Sequence, residues 1–212
     1  RAADAATAAT PRTGWRDGSS SGRHPRMTRP ELWPRTTDRL VLRPPTEADL
    51  DAVLSWRNHP DVTRWLLTAQ VDPERYRRAW LGGAGDPLDH SVVAVDRGVV
   101  IGTVSLEVRD GMGQGSDSPA VGSEASLGYL LDPAQHGRGY ATEMVVAALD
   151  LAFGDLGLRR VTAGCFADNI GSWRVMEKAG MRREQHGIRD SWHADLGWID
   201  GYTYAVLADE RR

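Results

Sequence analysis

Cysteine is nearly absent from this sequence: among 212 residues there is one, Cys165. A single thiol excludes an intramolecular disulfide, and the six histidines show no Cys/His or HExxH spacing that would hold a metal ion. Long hydrophobic runs are also missing, since none approaches the roughly 20 residues that a membrane-spanning helix needs. We therefore expect a soluble, cytoplasmic protein in a reducing environment, with neither a metal nor a membrane partner.

Two phosphate-binding motifs are missing as well. The chain has no Gly-x-x-x-x-Gly-Lys-Ser/Thr loop and no Gly-x-Gly-x-x-Gly after an N-terminal strand. Their absence argues against a nucleotide hydrolase and against a dinucleotide-dependent dehydrogenase.

Net charge is unevenly distributed along the chain. Residues 1–26 hold five arginines and two aspartates, a net charge of +3, so the total of −3 leaves −6 on residues 27–212. An acidic body repels nucleic-acid phosphate and mildly attracts cationic substrates such as amines. A nucleic-acid partner is therefore not expected.

Apolar periodicity is absent from residues 1–36, which are rich in Ala, Ser, Gly, Pro and Arg. Such a segment cannot bury enough apolar surface to offset the entropy cost of ordering, so it is predicted to be a disordered extension. An upstream extension before Met27 is favoured over an organellar transit peptide. Residues 37–212 have the length and pattern of one domain.

The patterned part of the chain alternates between β-branched runs and amphipathic segments. Helices are predicted from Thr46, where Thr46 and Asp49 form a capping box, to Asn58, and at 72–82, 140–153 and 170–179. Strands are predicted at 39–43, 91–95, 99–108, 124–131, 160–166 and 203–207. This order predicts an α+β fold with a single mixed sheet flanked by helices.

One glycine-rich segment lies where a strand ends and a helix begins: His136-Gly137-Arg138-Gly139-Tyr140-Ala141. Two glycines allow close approach of the backbone, and successive N–H groups of such a turn point into one concavity. The first helical turn adds unpaired N–H donors and a partial positive charge, which suit a diphosphate. A tight turn without a ligand is the alternative that these residues leave open.

The same segment resembles the acyl-CoA motif of the GNAT superfamily of N-acetyltransferases, Arg/Gln-x-x-Gly-x-Gly/Ala, with His136 in place of the first Arg or Gln. The context HGRGYATEM, followed by ADNIGSWRVMEKAGM at 167–181, is similar to the RimJ/RimL-like branch, which acetylates N-terminal amines of ribosomal proteins. The likeness covers roughly residues 37–210. It implies a mostly antiparallel sheet of about six to seven strands, in which one splayed strand pair forms the acyl-CoA slot.

The resemblance also implies the residues of the site. Acetyl-CoA would be the co-substrate, held by the backbone of Leu130 and Leu131 along its pantetheine arm and by the segment 136–141 at its diphosphate. Asn169, a predicted helix cap, would bond the pantetheine amide. Ser172, one helical turn further, would contact the coenzyme and protonate the leaving thiolate.

The general base departs from the family pattern. Relatives carry Glu-Ile-Gly-Tyr on this strand, whereas the aligned stretch here is Ser126-Leu127-Gly128-Tyr129. Glu124 lies two residues earlier on the same face and is the candidate base, acting through water. An α-amine with a pKa of about 8 is already partly neutral at pH 7 and needs no strong base. Cys165 has no neighbouring base in sequence and is predicted to be inert, which favours direct transfer.

These inferences predict an acetyl-CoA-dependent N-acetyltransferase that acts on a primary amine, either a protein N-terminus or a small amine, as a monomer or a homodimer. Four tryptophans are candidates for lining the acceptor site: Trp56, Trp65, Trp80 and Trp192. Because the strand glutamate is missing, a non-catalytic acyl-CoA sensor is an alternative function. Transfer of another acyl group, such as succinyl, is a third possible function.

Overall fold

The eight strands form one sheet in the order β1-β2-β3-β4-β5-β6-β8-β7. The computed structural model describes residues 32–68, 70–82 and 86–211. The strands are β1 Arg35–Thr36, β2 Val41–Arg43, β3 Val92–Asp96, β4 Val99–Arg109, β5 Glu124–Leu131, β6 Arg160–Phe166, β7 Arg182–His193 and β8 Gly197–Leu207. The helices are α1 Leu50–Arg57, α2 Pro60–Thr63, α3 Pro73–Gly82, α4 Tyr140–Asp150 and α5 Ile170–Lys178.

Only one neighbouring pair in the sheet, β5 with β6, is parallel, and the other pairs are antiparallel. The α+β class and the mostly antiparallel mixed sheet are therefore confirmed. In the described part of the chain, every helix is too short or too polar to span a bilayer.

Two strands were not predicted. The twelve residues of β7 are mostly exposed and polar, so they lack the alternation that marks a half-buried strand. Pairing with β8 holds β7 in the sheet along most of its length, which is a tertiary effect. The other unpredicted strand, β1, has two residues and pairs with β2.

The boundary of the N-terminal extension also needs correction. Leu32 and Trp33 are buried in the core, and β1 follows them directly. Residues 32–36 therefore belong to the folded domain, because they add apolar contacts and sheet hydrogen bonds. The prediction of disorder for residues 1–31 lies outside the described residues.

The core lies on both faces of the sheet. One cluster packs α4 and α5 against the strands, and an apolar stripe of α4 and of the turn that follows it is buried there: Ala141, Met144, Val145, Ala148 and Ala152. The second cluster packs α1 and α2 against the other face, through Val53, Trp56, Trp65 and Phe166. Each large side chain buried in this way stabilises the fold by about 1.5 to 3 kcal/mol.

The predicted capping box is confirmed at the single 3-10 turn Glu47–Asp49, which leads directly into α1. The backbone N–H of Thr46 donates to Asp49 Oδ2 at 2.7 Å. Arg43, at the end of β2, donates from both terminal nitrogens to the same carboxylate at 2.7 Å each. These bonds, led by that of Arg43, lower the pKa of Asp49 to about 2. The pair therefore joins strand β2 to helix α1.

Candidate active site

Strands β5 and β6 separate along their length. Their parallel pairing covers only Glu124–Ser126 against Arg160–Thr162. Beyond it, β5 stays paired with β4 up to Leu131, and β6 stays paired with β8 up to Phe166. The facing edges of 127–131 and 163–166 are thus left open to each other, which is the splayed pair that the resemblance implied.

The glycine-rich turn lies at the open end of this split, between β5 and α4. Gly137 and Gly139 have positive φ angles of 74° and 82°, and Gly139 is the N-cap of α4. A Cβ built on Gly137 meets nothing within 4 Å, so the turn borders open space. The N–H of Glu143 donates to Gly139 O at 3.1 Å, and the N–H groups that precede it in α4 have no acceptor within the helix. An anion fits this arrangement of donors.

Side chains of the turn anchor it to the rest of the site. His136 Nε2 lies 3.2 Å from the carbonyl oxygen of Leu131, so the turn is tied to the last residue of β5. Tyr140 is buried in the core, and its hydroxyl donates to Asp96 Oδ2 at 2.8 Å. Arg138 is exposed beside the turn, where it donates to Gln135 and lies over the Tyr140 ring, and a guanidinium in this place can meet phosphate.

On the other side of the split, α5 begins with the predicted cap, which is confirmed. Asn169 is buried and its Oδ1 accepts from the backbone N–H of Ser172 at 3.2 Å. Ser172 is fully buried. Its Oγ lies 3.1 Å from the hydroxyl of Tyr129, which also donates to Ser172 O at 2.9 Å. A strand residue of β5 therefore bonds directly to the residue predicted to act as the acid.

Cys165 belongs to the same neighbourhood, since its thiol interacts with the Ser172 side chain. Burial raises the pKa of this thiol to about 12, and the hydrogen bond with Ser172 offsets burial only in part. A thiol that stays protonated at neutral pH is a poor nucleophile. The prediction of an inert cysteine agrees with this environment.

Glu124 lies at the opposite end of β5 from the glycine turn. It opens β5 at the closed end of the split, paired in register with Arg160. Its carboxylate, with a side chain 9% exposed, bonds Arg159 Nη2 at 2.6 Å and Arg160 Nη1 at 3.2 Å. Each of its oxygens thus has a guanidinium partner, and the carboxylate links the starts of β5 and β6. The role of Glu124 as a base acting through water stays a prediction.

A cleft of about 190 Å³ opens over the segment of β6 that is paired with β8. Its walls come from β6, from the loop after α2 and from the β7–β8 hairpin: Trp65, Leu67, Gly164, Cys165, Phe166, Asp190, Ser191, Gly201, Tyr202 and Thr203. Of the four tryptophans named above, Trp65 lines this cleft, whereas Trp56 is buried in the core and Trp192 is 60% exposed on the hairpin.

Asp190 is the acidic residue of this cleft wall, and a bulge directs it there. The β7–β8 register shifts between Gly187 and Ser191, and Arg189 has a positive φ of 49°. The Asp190 carboxylate lies so close over Gly187 and Gly201 that a Cβ on either glycine would overlap it. Ser191 Oγ donates to Asp190 Oδ1 at 2.8 Å.

Sequence reasoning missed two residues of this site, Tyr129 and Asp190. Tyr129 was noted only as part of a strand, because its partner Ser172 is 43 residues away. Asp190 lies in a strand that the hydrophobic pattern did not predict. Alternation gives the face of a strand residue but not its partner across the fold, so no sequence signal was available for either role.

Known proteins resemble this one in sequence and in fold. Residues 39–182 match the family described as Acetyltransferase (GNAT) domain. The chain is 28% identical over 176 residues to the uncharacterized N-acetyltransferase YnaD of Bacillus subtilis (strain 168), covering 82% of this chain and 97% of the relative. Solved structures of the same fold include Mycobacterium smegmatis RimJ in complex with CoA-disulfide, at 21% identity and a TM-score of 0.68 over 81% of this chain and 83% of that one.

A second solved structure is spermidine N-acetyltransferase from Vibrio cholerae in complex with CoA and spermine. It is 18% identical, with a TM-score of 0.70 over 82% of this chain and 98% of the other. At these identities the two structures show a shared fold. The family match itself spans more than half of the chain, so the protein belongs to the GNAT family and is an N-acetyltransferase.

Proposed function

We propose that the protein transfers acetyl from acetyl-CoA directly to a primary amine that carries, or lies close to, positive charge. The observation that carries this proposal is the position of the glycine turn at the open end of the β5–β6 split, with the cleft beside β6. The turn, the slot between the two strands and the cleft beside β6 are the path that we propose for the two substrates.

The residues fit the coenzyme along this path. The backbone N–H groups of residues 137–141 and the side chain of Arg138 suit the diphosphate. The backbone of Leu130 and Leu131, on the free edge of β5, would pair with the pantetheine arm, and Asn169 would bond its amide. Acetyl-CoA supplies an activated thioester, so no further cofactor is required.

Ser172 is the proposed acid. As the amine nitrogen bonds to the acetyl carbon and the C–S bond breaks, Ser172 passes its hydroxyl proton to the departing thiolate. Solvent takes up the proton released by the amine and reprotonates Ser172. Either hydroxyl can be the donor in the contact with Tyr129, so this pair can turn one O–H toward the sulfur.

The acceptor would occupy the cleft. Trp65, Phe166 and Tyr202 supply aromatic walls and Asp190 supplies a carboxylate, a combination that favours cationic ligands through ion pairing and cation–π contact. Both a peptide N-terminus and a polyamine carry such charge. The V. cholerae spermidine N-acetyltransferase of the same fold, solved in complex with CoA and spermine, supports the inclusion of polyamines among the candidates.

The test of the proposed function is release of free thiol from acetyl-CoA with a panel of amines: short peptides, spermidine and an aminoglycoside. Turnover with a cationic amine, together with the mass of the acetylated product, supports the proposal. Tight binding of acetyl-CoA by calorimetry with no turnover for any amine would favour a sensor. Faster turnover with succinyl-CoA than with acetyl-CoA would favour a different acyl group.

The acceptor assignment has its own test. Asp190→Asn should raise KM for the amine about tenfold and leave KM for acetyl-CoA unchanged, because one charge-assisted contact is lost. Asp195→Asn is the matched control, since Asp195 is an exposed acid in the β7–β8 turn outside the cleft. Equal KM values in Asp190→Asn and the wild type would exclude this role.

A further inference from the structure

The guanidinium of Arg39 contacts the glycine turn from outside the site described above. Arg39 lies just before β2, about 100 residues from the turn in sequence. Its Nη1 donates to the carbonyl oxygen of Arg138 at 2.9 Å, and its Nη2 lies 3.6 Å from the Cβ position of Gly139. Its Cζ also stacks over the ring of Tyr140, 4.2 Å from the centroid. One side chain therefore contacts Arg138 and Tyr140 and lies beside Gly139, the residue between them.

The Arg39 side chain is itself held by Glu143, in the first turn of α4. The Glu143 carboxylate accepts from Arg39 N at 2.9 Å and from Arg39 Nε at 2.7 Å. It also accepts from the hydroxyl of Thr37, which in turn accepts from Leu40 N at 3.0 Å. Burial raises the pKa of Glu143, but the bonds from Thr37 and Arg39 outweigh it and lower the pKa overall. The carboxylate is therefore ionised, and both of its oxygens accept hydrogen bonds.

The contact with Arg138 O determines the direction of one N–H group of the turn. A trans peptide is planar, and its C=O and N–H point in opposite directions. Since the carbonyl of Arg138 points at Arg39, the N–H of Gly139 in the same peptide points away from Arg39. This peptide joins Arg138 to Gly139, and glycine passes readily between positive and negative φ, so the peptide is free to rotate unless something holds it. The hydrogen bond from Arg39 to the carbonyl oxygen of Arg138 opposes this rotation.

We propose that Arg39, fixed by Glu143 and Thr37, is a positioning residue that pre-orients the diphosphate-binding turn of residues 137–140. This inference rests on the proposed function, because it assumes that the turn binds the coenzyme diphosphate. Pre-orientation strengthens binding by removing the entropy cost of ordering the turn when the ligand arrives.

For Glu143→Gln, a purely electrostatic effect and the positioning role of Arg39 predict opposite changes in coenzyme A affinity. Coenzyme A is polyanionic, so removing the negative charge of Glu143 should strengthen its binding if electrostatics alone matter. In Glu143→Gln, an amide N–H2 faces an Arg39 donor, and the guanidinium loses part of its anchor. Positioning by Arg39 therefore predicts that Glu143→Gln binds coenzyme A about tenfold more weakly than the wild type.

Arg39 variants separate charge from geometry in the same way. Arg39→Lys keeps the charge but cannot bond Glu143 and Arg138 O together from a planar fork. We expect Arg39→Lys and Arg39→Met to weaken coenzyme A binding by a similar factor, about tenfold. Arg211→Met is the matched control, because Arg211 bonds Asp150 and Val146 O at the opposite end of α4. Its affinity should equal that of the wild type.

The readout is the dissociation constant for coenzyme A by calorimetry, with thermal unfolding of each variant alongside. A second readout uses acetyl-pantetheine, which lacks the diphosphate. With that substrate, kcat/KM should be the same in Arg39→Met and the wild type, whereas general damage to the fold would lower both activities.

The outcomes are distinguishable. If the wild type does not bind coenzyme A, the proposed function fails. If the wild type binds but Glu143→Gln binds as tightly or more tightly, or if Arg39→Lys restores wild-type affinity, the positioning role of Arg39 is overturned while the proposed function stands.

Discussion

The hydroxyl of Tyr129 donates to the carbonyl oxygen of Ser172 at 2.9 Å and lies 3.1 Å from its Oγ. Both residues are buried. This contact joins β5 to α5, the helix that follows β6. A side chain of the strand that would hold the pantetheine arm thereby fixes the rotamer of the proposed acid.

Substitutions of this pair should separate chemistry from stability. Ser172→Ala should lower kcat about 100-fold and leave the coenzyme A dissociation constant nearly unchanged, because proton transfer is lost while the backbone stays. Tyr129→Phe should lower the free energy of unfolding by about 1 to 3 kcal/mol, since it leaves a buried carbonyl without its hydroxyl donor. Thiol-release assays and urea unfolding measure the two effects. An unchanged kcat in Ser172→Ala would place the acid elsewhere.

Gly137 offers a test of the turn itself. Gly137→Val should weaken coenzyme A binding at least about tenfold, because its methyl groups would stand in the concavity lined by N–H donors. The positive φ adds a stability cost of about 1 to 2 kcal/mol. Gly157→Val carries the same strain, with a φ of 62° and open space around its Cβ, but lies outside the turn. Equal affinities in the two variants would contradict diphosphate binding here.

Glu124 should prove structural. Glu124→Gln should lower the free energy of unfolding by about 1 to 3 kcal/mol, because Arg159 and Arg160 lose a mostly buried carboxylate partner. The pH dependence of kcat/KM should match that of the wild type. Loss of the acidic limb of the profile in this variant would instead support a role for Glu124 as the base.

Acid stability should depend on the Asp49 carboxylate. Its pKa is lowered in the folded state to about 2, so its stabilising contribution is complete above about pH 5 and is lost as the pH falls toward 2. The size of the effect should be about 1 to 2 kcal/mol, reduced because Arg43 is one-third exposed.

The Asp49 effect can be measured by urea unfolding between pH 2 and pH 7. Asp49→Asn should be less stable than the wild type at pH 7, and the difference should shrink in acid. Asp51→Asn is the control on the same helix, since Asp51 is 89% exposed. A stability difference that persists at pH 2 would show that packing, rather than ionisation, is responsible.

Local patterns were sufficient where neighbouring residues decide the structure. The capping box of Thr46 and Asp49, the apolar stripe of α4 and the cap at Asn169 all depend on residues within a few positions of one another. Hydrogen bonding and side-chain spacing within a single turn determine them. The glycine turn is of the same kind, because Gly137 and Gly139 permit positive φ through their own lack of a Cβ.

Long-range contacts decided the rest. Strand β7 exists because β8 pairs with it, although its own residues carry no alternation. Ser172 and Arg39 bond residues that are distant in sequence, and Asp190 is directed by a bulge in β7. The sequence by itself determined four of the five described helices, most strands, the family and the position of the glycine turn. Only the tertiary structure decided what surrounds each charged group, because burial and ion pairing depend on distances that chain order does not encode.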